Sequence, residues 1–335
     1  MIKQEIIAGV DIGGTNTVFG FILKTGDCLS FKSIPTQPAD NVIKFIEKLS
    51  EEIKVSFQEL SNDYSLAGIG VAAPSANHFN GKIESPSNLN WGKVNFITLM
   101  KHYFELPIAI TNDANAAALG EYKFGIGKGL RNFIVITLGT GLGSGIIING
   151  NLLYSEGGLA GEFGHTIVKP NGRRCKCGRA GCLETYASAN GICRTVLHLI
   201  AIYNEPSELR NISFSKMTGE LINDLALKRD PIAIKAFDFT GKILGKALAN
   251  LATSFVPEAI ILFGGLADSG ELLLGPTREQ FENNLLDIHK GKVKILRSSI
   301  KNGMSAVLGA SSLISYSNDH HSIELMMSEN IRENN

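Results

Sequence analysis

The chain of 335 residues has little of several things, and each shortage removes a class of protein. It has no excess of charge: lysine and arginine together number 32, as do aspartate and glutamate, so nothing favours electrostatic capture of nucleic acid or an anionic membrane. It has no apolar run near the ~18 to 20 residues that span a bilayer. Its first residues, MIKQEIIAGVDIGG, enter a strand pattern at once and show no leader cleavage region, which predicts a cytoplasmic protein. Cysteine is scarce, at five, and in that compartment disulfides are not expected. What is plentiful is glycine, 36 residues, within a chain that is 44% hydrophobic. That balance suits a loop-rich globular enzyme, and the length suits about two domains.

Three of the five cysteines fall in one stretch, GGLAGEFGHTIVKPNGRRCKCGRAGCLE, residues 157–184. Cys175, Cys177 and Cys182 form C-x-C-x4-C, with His165 upstream, and Gly178 and Gly181 permit the tight turns that such spacing needs. Three thiolates and an imidazole suit a tetrahedral ion, zinc above all, in a closed shell that reads as structural. Packed thiols, a disulfide pair or a hydrogen-bonded loop histidine are the plainer readings. Glu162 and Glu184 flank the array, so an ion there would also fix where two carboxylates point. Cys28 and Cys193 sit in apolar surroundings and read as packing residues.

Residues 5–12 and 17–23 are apolar runs on either side of Gly13, Gly14, Thr15 and Asn16, which reads as a hairpin. Its turn places Asp11 beside backbone N–H groups that could cradle a phosphate while the carboxylate addresses magnesium. An ordinary turn using Gly and Asn for positive φ is the alternative. The pattern recurs: residues 132–138 form a strand, Gly139, Thr140 and Gly141 open a glycine run to Gly145, and residues 146–149 form another strand. This weak internal repeat suggests a duplicated domain with one phosphate loop from each half. The glycine spacing is not that of the dinucleotide fingerprint, and no helix follows it, which disfavours a Rossmann oxidoreductase.

Elsewhere, residues 41–59 read as a helix with Val42, Phe45, Ile46, Leu49 and Ile53 on one stripe. Residues 66–72 and 107–111 read as strands, and the polar loop IESPSNLNW, which carries Asn88, could orient a polyhydroxy ligand. Asn112 and Asp113 precede an alanine-rich helix, with Asp113 at the expected N-cap. A helix N-terminus lowers a carboxylate pKa, yet a weak base suffices for phosphoryl transfer, whose transition state is loose. Residues 187–203 and 231–255 read as helices, the second with a core stripe of Ile234, Phe237, Leu244, Leu248, Leu251 and Phe255. A strand over 259–263 runs into Gly264 and Gly265, which could lie against adenine or simply turn. A last strand, 292–296, a last helix, 306–314, and a polar tail complete the chain.

Taken together, Asp11-x-Gly-Gly-Thr15, Asn112-Asp113-x-Asn115, Leu138-Gly-Thr-Gly-x-Gly143, Gly161-Glu-x-Gly-His165, the cysteine array closing on Glu184, and Gly264-Gly265 resemble the ROK family. That family contains bacterial sugar kinases and related repressors within the actin and hexokinase superfamily. The resemblance implies an α/β fold, the two-domain actin-like ATPase (ribonuclease H-like) fold with an interdomain cleft. The domains expected are residues 1–112, completed by a helix near 305–317, and 113–304 with a zinc loop at 161–184, followed by a tail at 318–335. It implies an ATP- and Mg2+-dependent hexose kinase, with glucose phosphorylated at the 6-hydroxyl, structural Zn2+, and a homodimer or homotetramer. Asp113 would be the catalytic base. Asn88, Asn112, Asp113, Glu162, His165 and Glu184 would hold the sugar. Asp11, Gly13, Gly14, Thr15, Gly139, Thr140, Gly141, Gly264 and Gly265 would hold the nucleotide, and His165, Cys175, Cys177 and Cys182 the zinc. The loop Ala-Pro-Ser-Ala-Asn at 73–77 departs from the family's frequent Gly-Pro version, which leaves the sugar open. An N-acetylhexosamine kinase, a fructokinase and a sugar-responsive repressor are the alternatives. A repressor would carry a helix-turn-helix before the first strand, which here begins near Glu5.

Overall fold

The computed structural model describes residues 3–36, 41–86, 89–155, 158, 160–301 and 303–315. The chain divides into two compact units. The first comprises Met1–Lys128, Tyr154–Leu159 and Gly303–Asn335, and the second Gly129–Leu153 and Ala160–Asn302.

In the first unit, β1 (Gln4–Ile12) and β2 (Asn16–Leu23) form the expected antiparallel hairpin, extended by β3 (Cys28–Pro35). Helix α1 (Val42–Gln58) buries Phe45, Ile46, Leu49 and Ile53, so the helical stripe seen in the sequence is its core face. Strand β4 (Tyr64–Ala72) then pairs parallel to β1. A small sheet of β5 (Ala76–Asn77), β6 (Lys82–Glu84) and β7 (Lys93–Val94), and a short helix α2 (Phe96–Met100), lead to β8 (Ile108–Thr111), parallel to β4, and then α3 (Asp113–Phe124). The main sheet runs β3-β2-β1-β4-β8.

Three of its strands carry a row of glycines in register, Gly20 beside Gly9 and Gly9 beside Gly70. Two of the three lie under a helix over residues 305–315: a Cβ on Gly9 would collide with the Val307 carbonyl oxygen and one on Gly70 with that of Ala310, whereas one on Gly20 would first meet Ser30 O of β3. The same helix takes α3 at close range, since a Cβ on Gly309 would meet the carbonyl oxygen of Ala116. That packing draws α3 into the first unit, beyond the boundary at 112 that the sequence suggests.

The second unit repeats the plan. Strands β9 (Phe133–Leu138), β10 (Leu142–Ile148) and β11 (Asn151–Leu152) are antiparallel neighbours. Helices α4 (Ala189–Ile202), α5 (Gly219–Leu227) and α6 (Pro231–Phe255) precede β12 (Ala259–Phe263), and α7 (Glu271–Asn284) precedes β13 (Lys294–Arg297). The order β11-β10-β9-β12-β13, with β9, β12 and β13 parallel, matches the first sheet strand for strand. Two readings need correction here. β10 starts inside the glycine run, because Leu142 and Gly143 pair with Leu138 and Thr137 of β9. In α6 the core stripe is Phe237, Leu244, Leu248 and Leu251, while Ile234 and Phe255 are partly exposed at 40% and 37%. No helix among the described residues is long and apolar enough to cross a membrane.

Candidate active site

Each unit carries its glycine loop at the same place, between the first two strands of its sheet. In the first unit the β1–β2 turn is closed by the Gly13 N–H donating to the Asn16 carbonyl at 3.0 Å, and a Cβ on Gly13 would sit 2.7 Å from that oxygen. Thr36, at the end of β3, pins the turn from outside: its N–H donates to Thr15 O at 2.9 Å and its hydroxyl to Gly13 O at 2.8 Å. Thr15 is exposed, so the loop tip is open to a ligand. Nothing in the sequence marked Thr36, because its role comes from strand pairing across the sheet.

Asp11 ends β1 and Asp113 begins α3, and the charge of Asp113 is felt at Asp11. Burial, and then the neighbouring Asp113 charge, push the Asp11 carboxyl up from 3.8 to about 7. Burial also pushes Asp113 up, against the opposing pull of the Ala114 N–H. Solvent still reaches the Asp113 side chain, so it is a crowded group with an open face. Two expectations change. The N-cap is Asn112, whose side chain accepts from Asn115 N at 2.7 Å, and Asp113 is the first helical residue. The helix terminus does not win the pKa: desolvation does, which makes Asp113 a stronger base than the sequence implies. Next to it in the chain, Thr111 Oγ1 and Asn115 Oδ1 are buried without a hydrogen-bond partner among the described residues.

In the second unit the loop at 139–141 is closed by the Gly139 N–H donating to Gly141 O at 3.1 Å. Gly139 and Thr140 are exposed. Gly264 and Gly265 lie against the strand that leads into this loop: Leu266 N donates to Leu138 O at 3.2 Å, and a Cβ on Gly264, whose φ is +104°, would come within 2.8 Å of that oxygen. Gly265 has no described atom within 4 Å of its would-be Cβ, leaving room for a flat ligand beside it.

The cysteine array closes on itself. The ligand atoms of His165, Cys175, Cys177 and Cys182 all lie within 4.8 Å of one another. Cys177 Sγ is 3.6 Å from Cys182 Sγ, and Cys175 Sγ is 3.6 Å from His165 Nδ1. Those separations approach the ~3.8 Å edge of a tetrahedron built on metal–sulfur bonds of about 2.3 Å. Gly178 and Gly181 make the required turns at φ +89° and +87°. Burial pushes the Cys175 thiol up and Cys182 to about 12, while the Arg179 N–H pulls Cys177 down to about 6. A divalent cation is what would let all three ionise together. The donor set therefore fits a structural ion.

With His165 Nδ1 facing the sulfurs, its Nε2 faces Glu162 Oε2 at 3.8 Å, and Glu162 is exposed. Glu184 is half-buried: its Oε2 accepts from Leu142 N at 3.1 Å and its Oε1 lies 3.8 Å from Cys175 Sγ. Asn88, and the tail at 318–335, lie outside the described residues. Cys193 is buried and Cys28 is partly so, as packing residues should be.

Comparison with known proteins follows the same lines. Residues 7–316 match the model of the ROK family. The glucokinase of Halalkalibacterium halodurans is 36% identical over 281 residues, covering 82% of this chain and 84% of its own. The xylose repressor of Bacillus spizizenii is 32% identical over 251 residues, covering 75% of this chain but 62% of its own. Among solved structures, a ROK family glucokinase from Streptomyces griseus in complex with glucose and AMPPNP superposes with a TM-score of 0.77 at 32% identity, covering 92% of this chain and 98% of that one.

Proposed function

This chain belongs to the ROK family, with its two-domain actin-like ATPase fold, and on that premise we propose that it is a glucokinase, transferring the γ-phosphoryl group of ATP to the 6-hydroxyl of glucose. The observation that carries the proposal is Asp113: a carboxylate with an open face and a raised pKa, at the helix position that the family motif marks. Its carboxylate accepts the proton of the sugar hydroxyl as that oxygen attacks phosphorus. A base of this kind contributes roughly 10²- to 10⁴-fold. Because the transition state is loose, positioning and charge neutralisation supply most of the rest.

The other roles are assigned on the geometry of each unit. Asn112 spends its amide oxygen on the cap and keeps its NH2 group to donate to a sugar hydroxyl. Glu162 accepts from sugar hydroxyls, with His165 Nε2 facing it, and Glu184 Oε1, which lies against Cys175 Sγ, takes another from the same metal loop. The N–H groups of Gly14, Thr15, Thr140 and Gly141 face phosphate oxygens while Gly13 and Gly139 close the two turns, and Gly264 and Gly265 lie against the nucleoside. Mg2+ on the nucleotide, addressed by Asp11, would neutralise phosphate charge. His165, Cys175, Cys177 and Cys182 would hold Zn2+, which shapes the loop without entering the reaction. ATP as donor suits the cytoplasm, and the chain acts as a homo-oligomer.

ADP release measured over glucose, mannose, fructose, N-acetylglucosamine and N-acetylmannosamine tests the reading. The highest kcat/KM is expected for glucose. An N-acetylhexosamine in first place would overturn the sugar and keep the chemistry, whereas no turnover with any of the five would overturn the kinase.

A further inference from the structure

Glu184 does more than face a ligand. We propose that it is a positioning residue for the nucleotide, a strut that sets the shape of the phosphate loop at 139–141; this rests on the kinase reading. The Glu184 Oε2 accepts from the N–H of Leu142, the residue that ends the loop, at 3.1 Å. A Cβ on Gly141 would collide with that same oxygen, and among the described residues the atoms it would meet within 4 Å belong to Glu184. The φ of Gly141 is not in the left-handed region, so what a side chain there would have to displace is the Glu184 carboxylate, with its bond to Leu142 N.

A second tie holds the other end of the loop. The N–H of Ala189, in the first turn of α4, donates to Gly139 O at 2.9 Å. Between the two ties the segment is held by further hydrogen bonds: Ser188 Oγ donates to Glu184 O at 2.7 Å and caps α4 by accepting from Gly191 N at 3.0 Å. Glu184 itself follows Cys182 in a single 3-10 turn, Leu183–Thr185. The loop that binds phosphate is thus clamped at both ends by the segment that closes the cysteine cluster. A charged acceptor makes the stronger kind of hydrogen bond, and removing it frees both the Leu142 N–H and the space above Gly141.

The test is AMPPNP binding in magnesium buffer, without sugar, by calorimetry. Glu184→Ala is expected to weaken binding about tenfold, the effect of one lost hydrogen bond to a charged group. Glu184→Gln keeps an oxygen for the Leu142 N–H and is expected to stay within about threefold of the unmodified chain, a rescue that a pure sugar ligand or a folding defect would not produce. Gly141→Ala is expected to weaken binding more in the original background than in Glu184→Ala, so the double variant is non-additive. AMPPNP binding unchanged in Glu184→Ala, or equal losses in Gln and Ala, would overturn the strut. A failure of the unmodified chain to bind AMPPNP would overturn the kinase reading first, and the strut with it.

Discussion

Asp11→Asn is expected to stabilise the ligand-free protein at pH 8 while destroying its activity. The Asp11 carboxyl is pushed from 3.8 to about 7, chiefly by burial and then by Asp113. At 1.36 kcal/mol per unit, ionising it in the folded chain costs about 4 kcal/mol. The folded state holds this proton more tightly than the unfolded chain. Its contribution is therefore complete below about pH 4, declines as pH rises, and is gone above about pH 7. Asparagine mimics the protonated form and escapes the decline. The variant's advantage should be about 4 kcal/mol at pH 8 and about 2 kcal/mol at pH 5.5. At about 2 to 4 °C per kcal/mol for a domain of this size, the Tm gain at pH 8 is roughly 10 °C. Thermal melts of both proteins in magnesium-free buffer at the two pH values measure it. Equal Tm values at pH 8 would refute the claim that this carboxylate is held at a cost. A gain in stability coupled to a loss of turnover would mark strain kept for function.

The same logic yields other tests. Cys177→Ser removes one of four donors, so metal analysis should find about one zinc per chain before the change and much less after it, with a lower Tm; a chain isolated without chelator and already free of zinc would refute the site. Gly70→Ala drives a methyl into the Ala310 carbonyl and should cost about 1 to 3 kcal/mol in urea unfolding. An unchanged midpoint would refute the close approach of the helix at 305–315. The pH profile of kcat/KM should lose activity on the acid side at a pH above the ordinary aspartate range, because burial raises Asp113 and only its ionised form accepts a proton. An acid limb at about pH 4 would argue against it.

Much of this was legible in the residues because it depended on local pattern. The β1–β2 hairpin, α1, α6, β12 and the cysteine array follow from alternation, helical stripes, caps and spacing. β3 was missed because it is an edge strand with exposed Phe31, Lys32 and Ser33, and so carries no buried alternation. α7 was missed because Gly275 and Pro276 punctuate its helical pattern; Pro276 is tolerated there against Gly241 of α6, a contact no local rule shows. The identity of the cap was missed because Asn112 and Asp113 are both good N-caps, and only the Asn115 N–H decides between them. The raised pKa of Asp113 was missed for a different reason: the helix terminus is local and visible, while the burial that outweighs it exists only in the folded chain. The glycines at 9, 70 and 141 were readable as glycines but not as contacts, since each answers to an atom far along the chain.

The most direct measurement is Asp113→Asn, with glucose binding by calorimetry and ADP release assayed on one preparation. Glucose affinity near that of the unmodified protein, with kcat lower by about 10²- to 10⁴-fold, is the expected result. Turnover near the original rate would contradict a role for Asp113 as the base and, with it, the chemistry assigned to this fold.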